Sequence, residues 1–86
     1  MKKNANITDE KCFWVCSGSI LRNLEDLKNC LWQMEKDSFK YHVNKEKNDF
    51  AIWVKEVLED NTLANKLSKT KTAKKMIKAI EDSLAE

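Results

Sequence analysis

The scarcity of turn-forming residues limits what this chain can fold into more than any other feature. Among its 86 residues glycine occurs once, at position 18, and proline does not occur. Hairpin turns depend on such residues, so a chain built from many short strands would need more of them. The composition, with 42% apolar and 35% charged residues, is typical of an ordered, helix-rich protein. A chain of this length forms one core. The sequence therefore predicts one compact all-α domain.

Apolar residues at helical spacing predict about five short helices. Three of these helices have clear buried stripes, formed by Leu24, Leu27, Leu31 and Met34 in the first, by Phe50, Trp53, Val54 and Val57 in the third, and by Ala73, Met76, Ile77, Ile80 and Leu84 in the last. A candidate N-cap precedes each helix. The predicted caps are Asn23 for the first helix, Asp37 or Ser38 for the second, Asn48 for the third, Asp60 or Asn61 for the fourth, and Thr70 or Thr72 for the last.

The segment KCFWVCSGSIL precedes the helices and differs from them in pattern. Its aromatic and β-branched residues before Ser17 and Gly18 predict a small N-terminal β-hairpin that turns at this pair. Two short strands alone are marginal in water, so the hairpin has to pack on the helices. Residues 1–10 are polar and without periodicity, which predicts a flexible N-terminal tail and leaves residues 11–86 as a single helical domain.

The sequence shows no targeting signal. Two lysines near the start are followed by no apolar segment, and nowhere does the chain reach the roughly 18 apolar residues of a membrane span. Three cysteines cannot all pair within one chain, which fits the reduced thiols of the cytosol. We therefore expect a cytoplasmic protein that does not bind membranes.

Two stretches of the chain, FWVCSGSILRNLEDLKNCLWQM and FKYHVNKEKNDFAIWVKEVLEDNTLANKL, carry a specific pattern. They resemble a family of small prokaryotic domains of unknown function that shares YHVN-x-EKNDF-x-x-WV. The resemblance spans about residues 13–67. It implies a helical fold and a reduced cellular environment, and it implies no activity, cofactor or site residue. The fuller family pattern continues as NWV-DV-GD-LA-L. This chain departs from it at Ile52, where a polar residue is expected, and at Glu59, where a glycine would close the third helix.

His42, the only histidine, is expected to be a packed residue and not a catalytic group. On a helix it shares the apolar face of Phe39 and Val43, where a ring nitrogen usually bonds to backbone or to a carboxylate. Acid–base catalysis would need a pocket and a second titratable group, and the sequence does not place Asp49 or Glu46 near His42 in space. We therefore expect the protein not to be an enzyme.

Zinc binding would need Cys12, Cys16, Cys30 and His42 to converge. An extended segment from Cys12 to Cys16 is about 13 Å long, whereas two sulfurs that share a zinc ion lie within about 4 Å of each other. The cysteines are therefore expected to pack as small apolar residues. A single glycine also cannot build a glycine-rich phosphate loop. The sequence predicts no metal site and no cofactor.

Three side chains are candidates for contact with another protein chain. Trp32 and Ile52 lie off the apolar stripes of their helices, and Tyr41 points away from Phe39 and His42. One interpretation is a second core layer, because a helix in a small bundle can be buried on two sides. The interpretation that we adopt for function is an apolar patch that binds a protein partner or a second copy of this chain.

A run of lysines gives the alternative function. The six are Lys66, Lys69, Lys71, Lys74, Lys75 and Lys78, and no acidic residue interrupts them. Such a face is usually only solvated, but it can also bind phosphates by releasing counterions. Arg22 is the only arginine, and neither a helix-turn-helix glycine turn nor an aromatic platform for bases is evident. The alternative is therefore weak, sequence-independent nucleic-acid binding.

Overall fold

The computed structural model describes residues 11–15 and 18–85. Within them the chain forms a two-stranded hairpin followed by five helices, which confirms the predicted all-α class with a small N-terminal β-hairpin. The elements are β1 (Phe13–Trp14), β2 (Ile20–Leu21), α1 (Leu24–Gln33), α2 (Lys36–His42), α3 (Asp49–Glu56), α4 (Asn61–Ser68) and α5 (Ala73–Ala85). The predicted tail at residues 1–10 lies outside the described residues, as do Cys16, Ser17 and Glu86.

The hairpin packs on the helices through alternate side chains. Its strands are antiparallel, with Phe13 opposite Leu21 and Trp14 opposite Ile20. Leu21 is buried, whereas Trp14 and Ile20 are exposed, because successive side chains of a strand point to opposite faces. The single glycine, Gly18, has a φ of +102°. Its position is one where the turn needs a backbone conformation that glycine adopts without strain.

Side-chain caps begin four of the helices. In each case a side-chain oxygen accepts a hydrogen bond from the backbone N–H three residues further along the chain. The caps are Asn23 for α1 at 2.8 Å, Asn48 for α3 at 3.0 Å, Asp60 for α4 at 3.0 Å and Thr72 for α5 at 3.3 Å. These helix starts are therefore fixed by local chemistry that the sequence already contains.

The start of α2 differs from the prediction. This helix begins at Lys36 after Glu35, which makes no side-chain capping bond, so neither Asp37 nor Ser38 is its N-cap. Asp37 lies instead in the first turn, where its negative charge interacts favourably with the helix dipole. Because an acidic residue suits both the cap and the first turn, the pattern placed the start of this helix too late.

The chain reverses direction after the end of α3, at Glu59. Glu59 has a φ of +57°, the only positive value among the described residues other than glycine. The chain turns back there, and the Asp60 N–H donates to the carbonyl oxygen of Val54 at 3.2 Å. Glycine is favoured at such a helix end because it has no side chain to crowd the left-handed conformation. The chain adopts this turn with a glutamate in it.

The core lies between the helices, with α1 packed against α5 and α3 against α4. The largest fully buried side chains are Phe50, Leu21, Leu24, Leu27, Leu63, Leu67, Met76, Ile80 and Val54. Among the described residues, no helix has both the length and the apolar character needed to cross a membrane. The longest, α5, has 13 residues.

Two long-range hydrogen bonds tie this core to the segments around it. The Asn48 side-chain amide donates to the carbonyl oxygen of Leu67 at 2.9 Å, so the residue that caps α3 also holds the end of α4. The Trp53 indole N–H donates to the carbonyl oxygen of Lys11 at 2.9 Å. This second bond anchors the start of the hairpin segment on α3.

Candidate functional site

The corner between α2 and α3 positions the polar side chains of the candidate site. The Asn44 N–H donates to the carbonyl oxygen of Lys47 at 2.9 Å, which closes a tight turn. The Asn44 side-chain amide donates to the carbonyl oxygen of Lys40 at 3.0 Å and so satisfies an acceptor at the end of α2. The turn brings together His42 and Asp49, which are seven residues apart in the sequence.

His42 and Lys47 both bind one oxygen of Asp49. His42 Nδ1 donates to Asp49 Oδ2 at 2.9 Å, and Lys47 Nζ donates to the same oxygen at 3.0 Å. The proton of the first bond belongs to Nδ1, because an ionised carboxylate only accepts hydrogen bonds. Lys47 Nζ also lies 4.6 Å from the centre of the Tyr41 ring, a favourable cation–π contact. One carboxylate thus orients a histidine, a lysine and, through the lysine, a tyrosine.

The pKa of Asp49 reflects this arrangement. Burial alone raises the pKa of this carboxyl, but the hydrogen bonds from His42 and Lys47 and the charge of Lys47 outweigh burial. The net effect lowers the pKa of Asp49 from its usual 3.8. Asp49 is therefore ionised at neutral pH and acts as a fixed acceptor.

His42 is packed among aromatic rings. Its ring centre lies 5.2 Å from Phe13, 5.2 Å from Phe50 and 5.0 Å from Tyr41, with edge-to-face or tilted geometry. Its side chain is 5% exposed. The imidazole is therefore a packed residue held by a carboxylate. That carboxylate is Asp49, which the sequence alone did not place near His42.

An open groove with a volume of about 450 Å³ lies beside this pair, and we call it the aromatic groove. Three large apolar side chains stand around it, each from a different element: Trp14 of β1 is 68% exposed, Tyr41 of α2 is 59% exposed and Ile52 of α3 is 50% exposed. Its lining also includes Phe13, His42, Lys47, Asp49, Trp53, Glu56 and Val57. Apolar side chains grouped in this way on a surface are typical of binding sites.

The six lysines of the predicted alternative form what we call the basic face. Lys66, Lys69, Lys71, Lys74, Lys75 and Lys78 are all exposed, at the end of α4, in the following loop and along α5. Lys78 donates to Asp82 at 3.0 Å, with 73% and 55% of the two side chains exposed. Because an exposed pair of this kind is weak, Lys78 remains available to another anion.

Trp32 lies apart from the aromatic groove. It is 66% exposed and lines a second groove, of about 600 Å³, between α1 and α5. Lys74 and Lys78 line the same groove, together with the apolar side chains of Leu31 and Ile77. The exposed tryptophan of α1 therefore borders the basic face.

The structure separates the three residues that the sequence analysis assigned to one patch. Tyr41 and Ile52 share the aromatic groove, whereas Trp32 does not line it. The exposure of all three side chains argues against the interpretation as a second core layer. Trp14 was not among the residues predicted from the sequence, although strand alternation points it outward when Phe13 faces the core.

The residues considered for metal binding do not form a site within the described part of the chain. No group of three or more His, Cys, Asp or Glu side chains is placed there to hold a metal ion. Cys12 and Cys30 are partly buried, and Cys16 lies outside the described residues.

These features define a small five-helix domain with an N-terminal hairpin and an open aromatic groove. The chain belongs to DUF5752, a family of unknown function, whose family model matches residues 7–86. The match agrees with the resemblance drawn from the sequence and covers more of the chain. A comparison with curated proteins and one with solved structures each found no match.

Proposed function

We propose that this protein is a non-enzymatic interaction module of the cytoplasm, and that its aromatic groove binds a segment of a partner protein. The observation that carries the proposal is the convergence of Trp14, Tyr41 and Ile52 from three elements around one groove. Tryptophan and tyrosine are enriched among residues that dominate protein–protein binding energy. In addition, the contact between Lys47 and the Tyr41 ring orients one rim before binding, which lowers the entropic cost of association.

The charges around the groove indicate the kind of partner. Lys47 and Asp49 compensate each other through their hydrogen bond. Glu56 lines the same groove and adds a negative charge beside the apolar surface. We therefore expect a partner segment with a large apolar side chain for the groove and a lysine or arginine near it for Glu56.

The experiment is a selection of peptides from a random display library against the folded protein. Selected peptides are measured by calorimetry against the parent chain and a Trp14→Ser/Ile52→Asp double variant. Trp32→Ser is the matched control, because it removes an equally exposed tryptophan outside the aromatic groove. We expect the double variant to lose binding by tenfold or more, in the range of about 2 kcal/mol for hot-spot residues, and the control to retain it.

Two results would contradict the partner segment. Peptides that bind the double variant and the parent equally would place binding elsewhere. A dimer that persists at high salt and disappears in the double variant would instead make a second copy of the chain the occupant. Sedimentation of the parent and the double variant at low and high salt detects this second result.

Weak, sequence-independent nucleic-acid binding by the basic face is a second candidate. The observation that favours it is the exposure of all six lysines in a stretch, residues 66–80, that contains no carboxylate. Binding of this kind depends on counterion release and falls steeply as salt rises. Such binding weakens over a range of about 50 to 200 mM salt. The proposal of nucleic-acid binding would be contradicted if affinity for a short duplex were unchanged across this range, or if no binding were seen at either end of it.

A further inference from the structure

We infer that Trp32 and the neighbouring lysines of α5 form a contact site for single-stranded nucleic acid, in which a base stacks on the indole and the flanking phosphates lie on Lys74 and Lys78. The inference rests on the second candidate function and names its ligand. It also gives Trp32 a role distinct from that of the aromatic groove.

The packing of α1 against α5 creates this site. Trp32 stands near the end of α1, and its side chain is 66% exposed. Lys74 and Lys78 lie one helical turn apart on α5 and line the same groove as the indole, above apolar side chains of both helices. A flat aromatic surface thus lies beside two cations that are held on a rigid element.

The surrounding charge fits a polyanion that runs along α5. From Lys71 to Lys78 the helix and the turn before it carry four lysines and no carboxylate. This interval is about 10 Å long, which is roughly three times the 3.4 Å spacing of phosphates along one strand of stacked DNA. Glu81 lines the groove beyond Lys78, and Asp82 pairs with that lysine. These two acidic residues mark the end of the positive track.

The exposed indole favours a single strand over other polyanions. In a duplex the base faces are stacked inside the helix, so only the lysines would take part. A peptide that consists of acidic residues alone, such as poly-glutamate, has no flat ring to place on Trp32. A single strand offers both phosphates and unstacked bases, and stacking on aromatic side chains is how sequence-independent single-strand binders hold bases.

The test uses the full chain and a dye-labelled oligonucleotide of twelve thymidines. This oligonucleotide is used as a single strand or paired with a complementary strand of deoxyadenosines, and binding is followed by fluorescence anisotropy. We expect tighter binding of the single strand, with a slope of log affinity against log salt near −2, since about three phosphates are neutralised at about −0.7 each. Trp32→Ala should weaken binding of the single strand by about fivefold or more and leave the duplex unchanged. Trp32→Phe, which keeps a ring, should recover part of the loss.

Matched variants distinguish failure of the stacking site from failure of phosphate binding. Lys74→Gln/Lys78→Gln should reduce the slope of log affinity against log salt by about 1.4. Trp14→Ala removes an exposed tryptophan that lies in the other groove, and this variant should bind the single strand like the parent. Unchanged binding in Trp32→Ala, with the lysine variant impaired, would overturn the stacking site and leave the basic face as a simple phosphate binder. Equal competition by poly-glutamate would also overturn it, and absence of any binding at low salt would overturn both proposals.

Discussion

Asp49 is the residue whose protonation should affect the fold most directly. Its carboxylate accepts hydrogen bonds from His42 and Lys47, and its pKa is lowered in the folded chain. A lowered pKa gives stability that is fully present above the ordinary pKa of 3.8 in the unfolded chain and is lost as the pH falls through the folded value. We therefore expect the free energy of unfolding in urea to decrease below about pH 4.

Asp49→Asn tests the origin of this acid sensitivity. The variant keeps an acceptor but loses the charge, so we expect it to cost about 1–2 kcal/mol at pH 7 and to lose less stability than the parent between neutral and acid pH. Asp82→Asn is the control, because Asp82 belongs to an exposed pair and should change stability by less than about 0.5 kcal/mol. An equal acid response in Asp49→Asn and the parent would show that other carboxyls control it.

Glu59 is the residue at which a substitution should stabilise the protein. An L-residue in the left-handed conformation is strained by about 1 kcal/mol, and Glu59 has this conformation. Glu59→Gly should raise the free energy of unfolding by about 0.5–1 kcal/mol, because glycine relieves the strain but gains freedom in the unfolded chain. Chemical denaturation followed by circular dichroism measures the change. Glu59→Ala removes the side chain but keeps the Cβ atom. A gain in stability for Glu59→Ala equal to that of Glu59→Gly would contradict relief of backbone strain as the cause.

At the scale of the elements, Asn48 should contribute more to the free energy of unfolding than an ordinary helix cap does. Its side-chain oxygen caps α3, and its amide donates to the last turn of α4 at Leu67. Asn48→Ala should cost about 2 kcal/mol, since it removes a cap and a long-range hydrogen bond of about 1 kcal/mol each.

The comparison for Asn48 is Asp60→Ala, which removes the side chain that caps α4 and should cost about 1 kcal/mol. Thermal and urea unfolding of the two variants under the same conditions gives the difference. If both variants lose the same stability, the bond from Asn48 to Leu67 contributes nothing in solution.

The helices were predictable to the extent that their signals are local. Asn23, Asn48 and Asp60 cap through a backbone N–H only three residues away, so the sequence contains both partners within one turn. The start of α2 was not predictable in this way, because Glu35 makes no side-chain bond that would mark it. The hairpin was predictable from Gly18 and the aromatic run before it.

At the scale of the whole molecule, the indole of Trp53 joins residues that are 42 positions apart by its bond to Lys11. Trp53→Phe should keep most of the packing but lose this bond, at a cost of about 1–2 kcal/mol. We also expect faster amide hydrogen exchange in β1, because the hairpin segment loses an anchor on α3. Trp32→Phe, at an exposed position, should change neither quantity. Unchanged exchange in Trp53→Phe would mean that strand pairing alone holds the segment.

The candidate surfaces were less predictable than the helices, because they depend on how elements are placed against each other. Helical periodicity identified Trp32, Tyr41 and Ile52 as outward residues, but it could not tell that Trp32 meets the lysines of α5 while the other two meet Trp14. The pairing of His42 with Asp49 was equally hidden, since it depends on the turn geometry set by Asn44.

The three tryptophans also give the molecule three separate intrinsic fluorescence probes. Trp53 is 6% exposed, whereas Trp14 and Trp32 are largely solvated in different grooves. Buried and solvated indoles emit at different wavelengths, so Trp53 should report unfolding. Iodide, an anion drawn to lysines, should exceed caesium as a quencher by a larger ratio at Trp32 than at Trp14. Variants that keep only Trp14 or only Trp32 would thus show which of the two surfaces a ligand covers, because quenching of the covered tryptophan by iodide and caesium would change.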